Sequence, residues 1–348
     1  MRKFDYSFLN NGFLPASLVN LTSSIAALRT MAGVRREEYL RVFSELEAVA
    51  KIQSVKSSNA IEGIVTSDAR IAEIVNQNSA PLNHSEREIA GYRDALNEIH
   101  LNYDYIDFRE SDILHLHEIM MSMAGYEFAG RYKTSDNYIL EEDAQGNRRI
   151  RFRPTPAAET KQAMEQLELA YMAARNDGNI NQLLLIPCVI LDFLCIPPFR
   201  DGNGRMSRLL SLLLLYKSDF DVGKYVSFEE QINNYKAYYY EALRQSSAGW
   251  ETNENSYFPF IENFLSTLYM CYKELDKRFA VVHGKKITKK ARVEAIVLNS
   301  LTPLSKAEIC KILPDVSPTT VEAVLGAMVK TGSVKRIGSG RTTRYIKV

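Results

Sequence analysis

The sequence predicts a mainly α-helical protein, with one β-hairpin set into the helical body and a small separate domain at the carboxy-terminal end. Three observations point there. Apolar residues recur at helical spacing over most of the first 280 positions. One stretch near residue 140 breaks that period. The charge balance changes sign near residue 284.

The segment Arg36–Ser57 sets Tyr39, Leu40, Val42, Phe43 and Leu46 among charged residues, which predicts an amphipathic helix. Ser85–His100 and Ser111–Met123 repeat the pattern. Tyr132–Leu140 and Arg148–Phe152 are short runs around a polar segment with Gln145-Gly146-Asn147, which reads as a β-hairpin with a long tip. Pro156 opens a helix to about Asn176, stopped by Asp177-Gly178-Asn179. Asn181–Ile196 is apolar on nearly every face and predicts a central helix surrounded by others. Arg205–Lys217 follows, carrying Leu209, Leu210, Leu212, Leu213, Leu214 and Leu215. Phe228–Gln245 and Tyr257–Phe279 complete the helical body.

Residues 285–348 hold 13 Lys+Arg and 4 Asp+Glu, a net of +9. The whole chain is formally +1, so the body carries −8. The tail reads helix (Lys290–Leu301), short helix (Ser305–Leu313), helix (Pro318–Thr331), then strands Val334–Ile337 and Thr343–Ile346 around Gly338-Ser339-Gly340-Arg341. That order is the one of a winged helix-turn-helix. Its recognition helix, starting Pro318-Thr319-Thr320-Val321-Glu322-Ala323, is not basic. Lys330, Lys335, Arg336, Arg341 and Arg344 are the cations placed to meet DNA phosphates. A tail that only packs on the body or on a protein partner is the competing reading.

Composition is that of an ordinary globular chain: of 348 residues, 46% are apolar and 24% charged. Cys188, Cys195, Cys271 and Cys310 form no CxxC pair and no zinc pattern, so reduced thiols are expected. The first residues lack a signal-peptide core, and Leu183–Phe199, interrupted by Pro187, Asp192 and Pro197, falls short of the ~20 apolar residues a membrane span needs. A cytoplasmic protein without a membrane partner is expected.

The chemistry concentrates in Pro197-Pro198-Phe199-Arg200-Asp201-Gly202-Asn203-Gly204-Arg205-Met206-Ser207-Arg208. Two glycines and an asparagine tolerate positive φ, so successive backbone N–H groups can converge on an anion, and the nest opens into a helix N-terminus. Arg205 and Arg208, three apart, share one face of the first turn and suit phosphate oxygens. Asp201 sits at the lip, where a carboxylate can hold Mg²⁺ against phosphates. A di- or triphosphate is the expected ligand.

This segment resembles the signature H-P-F-x-[D/E]-G-N-G-R-x-x-R of the Fic family, with Pro197 in place of the histidine. Gly130-Arg131-Tyr132-Lys133 through Ile139 is similar to the start of the family's flap, and Ser57–Gly63 contains the [S/T]-x-x-x-E-[G/N] pattern of its inhibitory helix. Tyr225-Val226-Ser227 and Tyr239–Leu243 fit its later helices. The resemblance covers roughly residues 15–275. It implies a Fic-type helical bundle divided into an N-terminal helical region (1–105, inhibitory motif 58–63), a core (106–280, flap 130–153, phosphate loop 197–208) and the winged helix domain (285–348).

The resemblance further implies binding of ATP with Mg²⁺ and transfer of AMP to a hydroxyl of a target protein. Asp201 would position the metal and Asn203 would contact the α-phosphate. The amides of Gly202 and Gly204 would form the anion hole, while Arg205 would take the β-phosphate and Arg208 the γ-phosphate. Phe199 would anchor the loop. Glu62, one helical turn after Ser58, would pair with Arg208 and exclude the γ-phosphate. Tyr132, Lys133 and Thr134 on the flap would dock the target backbone by strand addition.

The family's histidine is the general base, and proline has no titratable group. Losing such a base typically costs ~10²–10⁴-fold in rate. Cys195 is expected at the end of a buried helix, and His84, His100, His115, His117 and His283 lie outside the motif and read as ordinary surface or half-buried histidines. A base supplied by the target stays open. Two functions follow: a catalytically impaired Fic protein that still binds nucleotide as a switch, or a DNA-binding regulator with the body as sensor or homodimerisation unit. Residual AMP transfer, onto itself for example, is a third.

Overall fold

The computed structural model describes residues 2–142, 148–283, 288–300, 303–340 and 343–348. The body is helical throughout except for one hairpin. It opens with α1 (Phe8–Asn11), α2 (Ala16–Glu38), α3 (Leu40–Ile61), α4 (Asp68–Gln77), α5 (His84–Asn102) and α6 (Glu110–Ser122). The hairpin, β1 (Ile139–Glu142) and β2 (Arg148–Phe152), precedes α7 (Ala157–Asn176), α8 (Gln182–Cys195) and α9 (Asn203–Lys217). The body closes with α10 (Phe228–Asn234), α11 (Lys236–Ser247) and α12 (Phe258–His283).

Helix α8 is the centre, as its all-round apolar sequence requires: Leu185, Ile186, Val189, Leu191 and Phe193 have no exposed surface. Its carboxylate, Asp192, is fully buried as well. It accepts hydrogen bonds from Trp250 Nε1 (2.6 Å), Tyr6 (2.7 Å) and Tyr257 (2.9 Å), and Arg2 lies 3.5 Å away. The first residues of the chain are thereby strapped to the helix that leads into the phosphate loop.

Three boundaries differ from the sequence expectation. The predicted helix starting at Arg36 crosses a break: Tyr39 takes φ −132°, ψ 45° between α2 and α3. Helix α2 itself, which buries Leu18 and Ile25, went unpredicted because its polar and apolar residues are mixed around the helix. The predicted Phe228–Gln245 helix is divided at Tyr235, whose ψ of 33° interrupts the ladder. The first flap strand begins at Ile139, not Tyr132, because the preceding residues are drawn inward onto the phosphate loop, as described below. β1 and β2 pair antiparallel, Leu140 opposite Ile150 and Glu142 opposite Arg148. The predicted tip, Gln145–Asn147, lies outside the described residues.

The tail contains α13 (Lys289–Asn299), β3 (Leu304–Ser305), α14 (Lys306–Ile312), α15 (Pro318–Lys330), β4 (Val334–Ile337) and β5 (Arg344–Lys347). The strands form an antiparallel sheet in the order β3-β5-β4. β3, two residues long, was not predicted, and the predicted helix end at Leu301 and the wing residue Arg341 lie outside the described residues. Ser305 and Glu308 form a capping box at α14, and Ser317 with Pro318 starts α15. Val293, Val297, Ile309, Leu313, Val321 and Leu325 make a core separate from that of the body, with Val42 of α3 packed against it. Cys188, Cys195 and Cys271 are buried and unbridged, and Cys310 is half-buried and unbridged. Among the described residues no helix is long and apolar enough to cross a membrane.

Candidate functional site

The loop between α8 and α9 is braced from three sides. Gly202, at φ +80°, turns the chain into α9, and a Cβ there would lie 2.8 Å from Met120 Cε. Asn203 spans the loop: its Oδ1 accepts from the Phe199 amide (2.9 Å) and its Nδ2 donates to the Phe199 carbonyl (2.8 Å). Its side chain is therefore committed to loop shape, in addition to any contact with phosphate. Asn137 donates to the same carbonyl at 3.1 Å. Phe199 is fully buried, as expected of an anchor.

Lys133 belongs to this brace. Its amide donates to the Pro198 carbonyl (2.8 Å), its ammonium to the Ile196 carbonyl (3.0 Å), and it is buried. Burial pushes the amine down to about 8. It is thus turned away from any docking strand, contrary to its expected role on the flap. Tyr132 is half-buried with its ring tilted against Phe199, and Thr134 is exposed.

Beneath the loop lies His117, expected as an ordinary surface or half-buried histidine and found without exposed surface. Its ring stacks on Phe199 (3.7 Å between centroids, 5° between planes). Nδ1 accepts from the Gly130 amide at 3.0 Å, and Nε2 lies 3.1 Å from the Asp201 carbonyl. A carbonyl only accepts, so these partners assign the proton to Nε2 and leave no free lone pair on the ring. Burial pushes the imidazole down to about 4. The signal for this position was its alignment with Ile113, Met120 and Met121 on the buried face of α6.

Helix α3 delivers the next group. Its end is a Schellman turn: the Ile64 amide donates to Asn59 O (3.0 Å) and the Gly63 amide to Ala60 O (3.1 Å), with Gly63 at φ +79°. Ser58 and Glu62 are thereby fixed facing Arg208. Arg208, 2% exposed, donates from Nε to Ser58 Oγ (2.8 Å) and from Nη2 to both Ser58 O (2.9 Å) and Glu62 Oε1 (2.8 Å). The Glu62 carboxylate also lies over the start of α9: a Cβ on Gly204 would be 2.5 Å from its Oε1. A protein anion is seated where unpaired helix amides and an arginine converge.

Arg205 is 1% exposed and meets a residue that the sequence reading missed. Its Nη1 is 2.8 Å from Glu88 Oε2 on α5, while Nη2 is 3.9 Å from Asp201 Oδ2 at the mouth. The Asp201 side chain is more than half exposed and accepts from the Gly202 amide at 2.6 Å. Glu88 interrupts the apolar stripe Tyr92–Ala95–Leu96–Ile99 of α5, and a carboxylate in such a stripe was the available signal.

Pro197 is buried beside this cradle and carries no titratable group. Cys195 is buried and its thiol is pushed well up by burial, which removes it as a proton acceptor. His84 lies 2.8 Å from Tyr126 Oη and 3.4 Å from the Glu88 carboxylate, and His100 is buried against Tyr216. The side chain of His283 lies outside the described residues.

Residues 105–215, from α6 through the flap to the end of α9, match the Fic/DOC family. About a third of the chain is thus similar to a Fic/DOC family domain. Solved structures similar to the whole fold agree in type. A Fic family protein from Desulfovibrio desulfuricans G20 is 20% identical over 97% of each chain, with a TM-score of 0.64. A Fic domain containing signaling protein from Bacteroides thetaiotaomicron VPI-5482 is 20% identical over 74% of this chain and 94% of that one, TM-score 0.54. Fic-1 from C. elegans is 18% identical over 76% and 73%, TM-score 0.56. At these identities the likeness is one of fold. No curated protein matches the sequence. The Fic domain match covers the phosphate loop, Lys133 and His117, whereas Glu62 and Glu88 lie ahead of it and are brought to it by α3 and α5.

Proposed function

We propose that this is a nucleotide-binding Fic protein, with ATP and Mg²⁺ as ligand, that Glu62 holds in a closed state and that Pro197 leaves with weak or no AMP transfer. The observation that carries the reading is the Glu62 carboxylate, bonded to Arg208 and resting over Gly204. A site that accommodates a carboxylate there is built for an anion. In the open state Arg208 would be released to the terminal phosphate, and Arg205 and the amides at the start of α9 would hold the others.

The residues fit a metal carried in with the nucleotide. Among the described residues no group of three His, Cys, Asp or Glu side chains could hold an ion alone, and Asp201 offers one exposed carboxylate at the mouth. Mg²⁺ is commonly held by one or two carboxylates plus substrate phosphates. When bound, it would neutralise phosphate charge.

Among the described residues of the loop and its brace, none offers a free base to an attacking hydroxyl: Pro197 has no titratable group and the Lys133 amine donates to the Ile196 carbonyl. His117 has both nitrogens engaged and is kept neutral by burial, and Cys195 is inert. The parent chain and Glu62→Gly should therefore incorporate little or no label from α-labelled ATP, while Pro197→His with Glu62→Gly should label itself or an added protein. Strong labelling by the parent would contradict the reading.

A second reading has its own support. The tail, read as a winged helix, has a separate core and a net charge of +9, and Lys330, Lys335 and Arg336 are exposed. Arg344 is instead turned onto Pro303 O (2.9 Å) and Glu308 (3.2 Å), so the DNA-facing set is smaller than expected. Salt-dependent binding to duplex DNA that falls on Lys335→Ala with Arg336→Ala would support this role; the same weak binding in both chains would remove it.

A further inference from the structure

We infer that Glu88 is a second carboxylate brake on the cradle: by neutralising Arg205 it weakens the hold on a polyphosphate. The inference rests on the nucleotide-binding reading and deepens it. Arg205 and Arg208 are nearly inaccessible, and each is met by a protein carboxylate from a different helix, Glu62 for Arg208 and Glu88 for Arg205. The two pairs are not alike. Arg208 makes three aligned hydrogen bonds, two of them to Ser58. Arg205 Nη1, at 2.8 Å from Glu88 Oε2, lacks hydrogen-bond alignment, and both Nη1 and Nε are buried without a hydrogen-bond partner.

A buried guanidinium with unfilled donors is one that an incoming anion can satisfy. Its charge, however, is already compensated at close range in a region of low dielectric, where the partner's effect is large. Glu88 is held in place from the opposite side, by Tyr126 Oη at 3.3 Å and His84 Nε2 at 3.4 Å. It sits on the interior of α5, whereas Glu62 ends a helix and is one-third exposed. Glu62 can swing out; Glu88 stays and tunes. Glu88 is thus a positioning residue, acting through Arg205.

The test is the affinity of the full chain for inorganic pyrophosphate and for Mg²⁺–ATP, by calorimetry, in Glu62→Gly and in Glu62→Gly carrying Glu88→Gln or Glu88→Asp. Removing the charge should tighten binding about tenfold. Glu88→Asp keeps the charge but withdraws it by one methylene, so it should fall between. Thermal unfolding adds a second reading: Glu88→Gln should melt lower when free and gain more on adding pyrophosphate. A purely structural Glu88 would lower melting in both variants and leave affinity unchanged, which overturns the inference while the nucleotide reading stands. If Glu62→Gly alone binds neither ligand, both fall.

Discussion

Gly63 does more than end a helix. Its φ of +79° lets the Schellman turn close, and that turn aims Glu62 at Arg208. Gly63→Ala should destabilise the protein by about 1 kcal/mol and loosen the Glu62 seat, read as lower melting together with tighter ATP binding than the parent; lower melting with unchanged binding would separate the turn from the brake. His117 gives a second prediction at this scale. Its folded value of about 4 lies below the ordinary 6.5, so below pH 6.5 the unfolded chain takes a proton that the folded chain refuses. The stability from the neutral ring is full above pH 6.5 and is lost as pH falls to 4, on the order of 3 kcal/mol. His117→Gln should make that limb of the melting curve against pH shallower, leaving the part due to buried His100, held down to about 3; an unchanged limb would contradict it. The residues Asp201–Arg208 were legible in the sequence because their pattern is local. Glu88 and His117 were not, because what makes them part of the site is a contact across helices.

At the scale of elements, the site depends on how closely α5 and α6 approach. Gly91 permits this: a Cβ there would lie 2.1 Å from the Met120 carbonyl, and Met120 in turn packs under Gly202. Gly91→Ala should therefore cost about 1–3 kcal/mol, measured by chemical denaturation, and shift the loop beneath Gly202. A neutral effect would mean the crossing is not tight. The long amphipathic helices were readable from periodicity. The breaks at Tyr39 and Tyr235 were not, since neither position carries a glycine or proline, and the flap strand was drawn too early. Tyr132–Tyr138 fall in the expected strand, yet Ser135-Asp136-Asn137 are turn formers, the Lys133 amide donates to Pro198, and the Asn137 side chain donates to Phe199. Local turn chemistry and tertiary hydrogen bonds together keep the segment out of the sheet.

Over the whole molecule, residues far apart in sequence hold the site. Arg2 and Tyr6 close over Asp192 of α8, five positions before Pro197. Arg2→Ala leaves that carboxylate buried without its cation and should cost about 3–5 kcal/mol of stability; a melting temperature equal to the parent's would show the strap to be idle. The division into an acidic body and a basic tail was visible from charge alone. Which carboxylates reach the loop, Glu62 from α3 and Glu88 from α5, follows only from the packed bundle. The central claim is that the cradle binds nucleotide and that Glu62 closes it. Calorimetry with Mg²⁺–ATP on the parent, Glu62→Gly, and Glu62→Gly with Arg208→Ala tests it most directly. The account predicts weak binding by the parent, binding at least tenfold tighter with Glu62→Gly, and its loss when Arg208 is also removed. No binding by Glu62→Gly, with the protein folded, would contradict it.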